Sequence, residues 1–258
     1  MIDDPVPYPA SGRVYRTSRR VRLGDVTPSG RLRLDALARY LQDVATDDAL
    51  DGRYDDPHGW VVRRTRVWVA RFPRYLDELT LHTWCGGVGS HHAERRTQLR
   101  LGDAPVAEAA ALWVHVDLST MRPARLAPDF GARFAEAAAG RSASARLEVG
   151  RALPRPSASG GVRTPWPLRA ADMDAVGHMN NAAYWVPVEE WLAARPGARA
   201  PMHVTLEHHG EIRPGDAVEV LAEDAAGLAG PGAVALRHLV RRPDGDEVAA
   251  VALVRPPA

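Results

Sequence analysis

The chain carries one ordered set of signals twice, and this repeat constrains its fold more than any other feature. Pro73 followed by Asp77-Glu78-Leu79-Thr80-Leu81 answers Pro214-Gly215-Asp216-Ala217-Val218-Glu219-Val220. Leu99-Arg100-Leu101-Gly102-Asp103 answers Val240-Arg241-Arg242-Pro243-Asp244-Gly245. Ala109-Ala110-Ala111-Leu112-Trp113-Val114 answers Ala249-Ala250-Val251-Ala252-Leu253-Val254. A period of roughly 140 residues implies two copies of one structural unit. A chain of 258 residues has room for two small domains.

Each copy reads as β-α-β-β-β-β. In the first, residues 13–23 form a strand that enters the turn Asp25-Val26-Thr27-Pro28-Ser29-Gly30. A helix follows, with Leu34, Leu37, Leu41, Val44 and Ala45 on one face and Tyr40 beside them. Residues 47–59 are acidic and turn-rich, and read as a loop. Strands are expected over 61–71 and 79–85, with Gly86-Gly87-Val88-Gly89 breaking the second. Residues 95–101 and 106–116 read as hairpin arms. A short Ala-rich helix over 130–139 gives way to Ser-, Pro- and Gly-rich chain of linker character. The second copy has a helix carrying Tyr184, Val188, Trp191 and Leu192. Strands follow over 202–208 and 217–221, and a hairpin over 234–240 and 247–254. We expect a first domain over 1–140, a linker over 141–161 and a second domain over 162–258. One long helix on an antiparallel sheet in each gives an α+β fold class.

Composition excludes several functions. Net charge is +1, so no bulk attraction to nucleic acid is expected. No run of about 18 apolar residues is available to span a membrane. Met1-Ile2-Asp3-Asp4-Pro5 lacks a basic region followed by an apolar core, so no signal peptide is read and a cytoplasmic protein is expected. Cys85 is the single cysteine, which excludes an internal disulfide and a cysteine-based zinc cluster. Lysine is absent, so Schiff-base chemistry is excluded. His91-His92 and His208-His209 are adjacent pairs on strands and point to opposite faces, so neither chelates one ion alone. No metal is expected. No Gly-rich nucleotide loop appears in its proper context, and no cofactor is expected.

The sharpest motif is Asp174-Ala175-Val176-Gly177-His178-Met179-Asn180-Asn181-Ala182-Ala183-Tyr184, a D-x-x-G-H-x-N-N-x-x-Y pattern. It sets a carboxylate and an imidazole in a tight turn just before a helix. The helix start offers unpaired N–H groups and partial positive charge, which suits an oxyanion forming on an acyl carbonyl. Asp174 can act as a base toward water or as a nucleophile. His178 can orient or exchange a proton. Asn180 and Asn181 can cap the helix, hold the turn and meet substrate.

This motif, with Asp172-Met173 before it and Leu206-Glu207-His208-His209-Gly210-Glu211 after it, resembles the hot-dog thioesterases. The tandem layout resembles the acyl-acyl-carrier-protein (acyl-ACP) thioesterases of plants and bacteria. In the first half the likeness rests on residues 20–25 and 37–45, Arg71-Phe72-Pro73, Thr83-Trp84 and Trp113-Val114. The resemblance implies two tandem hot-dog domains and a catalytic set of Asp174, His178 and Glu211. The plant-type site has an Asn two residues after its Asp, where this chain has Val176. Some members have a Cys directly after the Glu, where this chain has Ile212. The motif thereby also resembles single-domain hot-dog thioesterases of the 4-hydroxybenzoyl-CoA type, which carry D-x-x-G-H-x-N-N and rely on the Asp.

The corresponding turn of the first copy, residues 25–31, keeps an acid but has no His and no Asn pair. The first domain is therefore expected to be catalytically silent and to wall an acyl pocket, with Tyr40, Leu41, Val44, Trp68 and Trp84 as candidates. The expected partner is acyl-ACP, with acyl-CoA as the alternative thioester and an inactive acyl-binding protein as the alternative function. Either a monomer or a homodimer is compatible with a tandem chain.

Overall fold

The computed structural model describes residues 6–156, 161–195 and 199–255. The chain forms two compact units, Met1–Arg33 with Arg39–Arg146, and Leu34–Ala38 with Leu147–Ala258.

Along the chain the first elements are β1 (Val14–Arg20), α1 (Leu34–Asp51), β2 (Gly59–Val69), β3 (Glu78–Val88), β4 (His92–Leu101) and β5 (Ala104–Val116). The strands pair antiparallel in the order β1-β3-β4-β5-β2. Leu37, Tyr40, Leu41 and Val44 recur at helical spacing along α1 and are buried. The acidic stretch expected as a loop from residue 47 is instead helical to Asp51. Asp48 explains this. It is buried, and its carboxylate receives Arg13 Nε at 2.7 Å and Arg95 Nη1 at 2.5 Å, so tertiary ion pairs override the local charge signal.

The glycines at 86–89 do not end β3, which runs on to Val88 with a bulge between Cys85 and Gly87. A Cβ on Gly87 would lie 3.1 Å from the backbone of Ser142 and Ala143, and Val88 bridges to Ser142. The glycine thus admits a second backbone segment. Next come α2 (Pro128–Phe134) and a 3-10 turn, Ala135–Ala138, whose Phe130, Phe134 and Ala138 cluster with Cys85 and Ala93.

The stretch read as linker from residue 141 is packed in its first part. Val88 N–H donates to Arg141 O, and the short helix α3 (Val149–Ala152) buries Val149 against Val251 and Leu253. Glu207 fixes α3: its carboxylate accepts the N–H groups of Glu148, Val149 and Gly150 at 2.7–3.1 Å. Composition hides this anchoring because its partners, Glu207, Val251 and Leu253, are remote in sequence. Ser157-Ala158-Ser159-Gly160 of the expected linker, and the N-terminal Met1–Pro5 stretch, lie outside the described residues.

The second unit continues with β6 (Val162–Pro165), α4 (Val186–Ala193), β7 (Met202–His208), β8 (Val218–Asp224), α5 (Ala226–Ala229), β9 (Val234–Arg242) and β10 (Gly245–Arg255). Its strands pair antiparallel in the order β6-β8-β9-β10-β7, the same plan as the first unit. The helices differ. α1 has 18 residues, whereas α4 has 8 and is entered through a 3-10 turn, Ala183–Trp185. Pro187 sits in the first turn of α4, where its missing N–H costs no helical bond, and it lacks the N–H that would bond back across the 3-10 entry. Among the described residues, no helix is long and apolar enough to cross a membrane.

Candidate active site

The site begins at Asp172, which ends a 3-10 turn, Ala170–Asp172, and is buried. Its Oδ2 accepts the Arg169 N–H at 2.8 Å, and Arg169 Nη2 lies 2.8 Å from Oδ1. Met173 bridges antiparallel to Met179, and Asp174 N–H donates to His178 O at 2.9 Å. The chain reverses at Gly177, whose φ of +88° suits glycine. Asp174 Oδ1 accepts the N–H of Val176 at 2.9 Å and, more weakly, that of His178 at 3.4 Å. One carboxylate oxygen, Oδ1, therefore holds the turn.

His178 reaches the loop after β7. Its Nε2 lies 3.3 Å from Glu211 Oε2, with the two side chains 31% and 40% exposed. The same oxygen accepts Arg213 Nη2 at 2.8 Å and Nε at 3.0 Å. Met179 N–H to Ile212 O at 2.8 Å ties the two loops together. Under them, the Tyr184 ring meets His208 edge-on at 4.8 Å and His238 at 5.1 Å. Burial raises the Tyr184 phenol well above its ordinary value, and burial lowers His238 to about 4, which keeps that imidazole neutral. Sequence reasoning missed His208 and His238 as neighbours of the motif, because only the sheet brings β7 and β9 beneath it.

Asn180 opens the helical entry. Its Oδ1 accepts Ala182 N–H at 2.9 Å, and its carbonyl accepts Ala183 N–H at 2.8 Å. Trp185 N–H is taken by Ala182 O. These three amides are therefore satisfied inside the turn, contrary to the expectation that the helix start presents unpaired N–H groups. Asn181 is half-buried beside Asn180.

The first unit repeats this construction bond for bond. Arg22 N–H donates to Asp25 Oδ2, Val26 bridges Leu32, Thr27 N–H donates to Arg31 O, and Leu32 N–H donates to Pro73 O. Gly30 turns at φ +79°, and Arg74 N–H donates to Asp77 Oδ2 as Arg213 N–H does to Asp216 Oδ2. The acid kept in the first turn, Asp25, thus answers the structural Asp172. The position of Asp174 holds Thr27, that of His178 holds Arg31, and that of Glu211 holds Phe72. Where the second unit has an imidazole on a carboxylate, the first has the Arg31 guanidinium 4.6 Å over the Phe72 ring.

Of the proposed wall residues, Tyr40, Leu41, Val44 and Trp84 are buried, and Trp68 is half-buried. Tyr40 Oη donates to Asp25 Oδ2 at 2.7 Å, under the Arg19 guanidinium. Trp84 packs on Tyr8 at 5.2 Å. A cavity of about 380 Å³ in the first unit is lined instead by Tyr54, Asp56, Trp60, Cys85 and Phe130. Another, of about 440 Å³, lies in the second unit among Trp166, Pro187, Trp191 and Val220. Neither is lined by Asp174, His178 or Glu211.

Comparison with known proteins agrees with the repeat. Residues 12–134 match the model for the acyl-ACP thioesterase N-terminal domain, and residues 158–253 match that for the C-terminal domain. An uncharacterised protein of Mycobacterium tuberculosis is 32% identical over 97% of this chain and 95% of its own length. A chloroplastic acyl-ACP hydrolase of Cuphea viscosissima is 26% identical over 96% of this chain and 65% of its own. Among solved structures, the 12:0-ACP thioesterase of Umbellularia californica superposes with a TM-score of 0.74 at 19% identity, covering 95% of this chain and 98% of that one. An acyl-ACP thioesterase of Bacteroides thetaiotaomicron gives 0.74 at 18%, covering 93% and 96%. These likenesses fix the fold as two tandem hot-dog units.

Proposed function

The chain belongs to the acyl-ACP thioesterase family, and from that premise we propose that it hydrolyses acyl-ACP to free fatty acid and carrier protein at one site, in its second unit. The observation that carries this reading is the contrast between two otherwise equivalent turns. Asp174, His178 and Glu211 stand in the second, where Thr27, Arg31 and Phe72 stand in the first. A group that only shaped the turn has no reason to differ in this way.

In this reading Asp174 Oδ2 takes a proton from water, whose oxygen adds to the thioester carbonyl. The C–S bond then breaks, and the carrier's thiol leaves with a proton from His178. For this step His178 carries the proton and Glu211 faces it as the counter-charge, while Arg213 fixes Glu211 in place. Loss of the Asp174 proton and return of one to His178, both through solvent, close the cycle. The first unit has no such set and is silent. Acyl-CoA offers the same thioester, and the chemistry does not distinguish the two carriers.

The test is hydrolysis of a chain-length panel of acyl-ACP and acyl-CoA thioesters by the wild type and Asp174→Asn. Turnover on acyl-ACP that disappears in a folded variant supports the proposal. Turnover on CoA thioesters alone replaces the substrate. No cleavage anywhere on the panel overturns it and leaves an acyl-binding protein.

A further inference from the structure

A second constellation lies within the first unit, and hydrolysis at Asp174 makes no use of it. Asp56, His58 and His115 each bring one donor atom within 4.8 Å of the others. His58 Nδ1 is 3.4 Å from Asp56 Oδ1, and His115 Nε2 is 3.0 Å from Asp56 Oδ2. The His115 and Asp56 side chains are buried, at 1% and 8% exposure, while that of His58 is 38% exposed on the loop before β2.

The hydrogen bonds around these groups set their chemistry. His115 Nδ1 lies 3.1 Å from the Ala124 carbonyl, which only accepts, so the ring proton resides there. In the neutral ring Nε2 then aims a lone pair at a carboxylate oxygen. Two acceptors facing each other at 3.0 Å require a positive centre, either a second proton or a metal ion. The carboxylate is braced by Tyr54 Oη at 2.7 Å and Trp60 Nε1 at 3.2 Å, and by the His58 N–H at 3.0 Å. A remote ring N–H on a backbone carbonyl, and a carboxylate held by outer donors, are how proteins orient metal ligands. A proton on His115 satisfies one pair but gives His58 no role.

Zinc bonds of 2.0–2.2 Å hold neighbouring donor atoms roughly 3.3 Å apart. Each imidazole lies close to that distance from one oxygen of Asp56, His58 Nδ1 from Oδ1 and His115 Nε2 from Oδ2, so the carboxylate faces both rings. One donor atom from each residue already lies within 4.8 Å of the others. Asp56 and His58 also line the cavity shared with Trp60, Cys85 and Phe130. We propose that Asp56, His58 and His115 bind one divalent cation of the zinc class, with a coordination position left open toward this cavity. Two imidazoles and one carboxylate suit zinc, cobalt or nickel rather than calcium or magnesium. The residues span 59 positions in sequence, so no spacing motif displays them.

The test uses the full chain, treated with a chelator and titrated with Co²⁺. The expected result is one Co²⁺ per chain, with visible d–d absorption of a low-coordinate site that Zn²⁺ displaces. His58→Gln, on an exposed loop and therefore safe for folding, weakens binding by about tenfold or more, and Asp56→Asn removes the bands. Tyr54→Phe, which loses only an outer hydrogen bond, costs about 10–100-fold in affinity. Absence of stoichiometric binding to wild type overturns the proposal, as does equal binding by wild type, His58→Gln and Asp56→Asn. The cluster is then a protonated His115 paired with Asp56.

Discussion

His178 Nε2 lies 3.3 Å from Glu211 Oε2. Arg213 holds that same oxygen, so the pair is set before substrate arrives. If the two act as one device, removing either removes the function of both. Glu211→Gln and His178→Asn are each expected to lower kcat by about 10²–10⁴-fold, the range for a positioned acid or base. The double variant should fall no further than the worse single one. Multiplicative losses, read from kcat in a double-mutant cycle, would show that the residues act separately.

The two acids of the motif are expected to separate stability from turnover. Asp172 is buried, caps Arg169 N–H and pairs with its guanidinium. Asp172→Asn should cost about 1–3 kcal/mol, from weakened charge-assisted bonds. It should lower Tm while the residual folded enzyme keeps its kcat. Asp174→Asn keeps an oxygen for the Val176 N–H and should melt near the wild type, yet lose turnover. Thermal melts beside kcat decide it, and a stable, active Asp174→Asn would remove Asp174 from the mechanism.

Much of this was legible in the sequence. The repeat, the strand positions and the Asp174–His178 turn follow from patterns of a few residues, and the family resemblance rests on those same residues. Glu211 required the resemblance. What stayed hidden depends on distant partners. Asp48 reads as a loop residue until Arg13 and Arg95 neutralise it. Gly87 reads as a break until Ser142 passes over it. Asp25 reads as the counterpart of Asp174 until its bond to Arg22 N–H shows that it answers Asp172. Asp56 and His115 are brought together only by the fold.

If the first unit is silent, its turn should tolerate loss of the groups that stand where Asp174, His178 and Glu211 stand in the second. Arg31 lies over Phe72 and donates to Leu32 O. Arg31→Gln should leave kcat within about twofold of wild type and cost about 0.5–2 kcal/mol of stability. Urea unfolding and kcat on the same preparation test this. A large fall in kcat with unchanged stability would place Arg31 in the reaction.

Acid should weaken the second unit through two groups that act in the same sense. Burial pushes the Glu207 carboxyl up, but His209 and the amides of Glu148, Val149 and Gly150 more than offset it, so its folded value lies below the ordinary one. That stability is present above the unfolded carboxylate value of 4.5 and is lost as pH falls through the folded value. His238 is lowered by burial to about 4 from 6.5, so the unfolded chain takes up its proton first. Its contribution is full above 6.5 and declines as pH falls toward 4. Thermal melts should therefore show Tm falling between pH 6.5 and 4.5, and falling less steeply in His238→Leu. Glu207→Gln should cost about 1–3 kcal/mol at pH 7, by weakening bonds from its buried carboxylate to the amides of Glu148, Val149 and Gly150. An unchanged slope in His238→Leu would mean that the imidazole takes up its proton equally well in the folded chain.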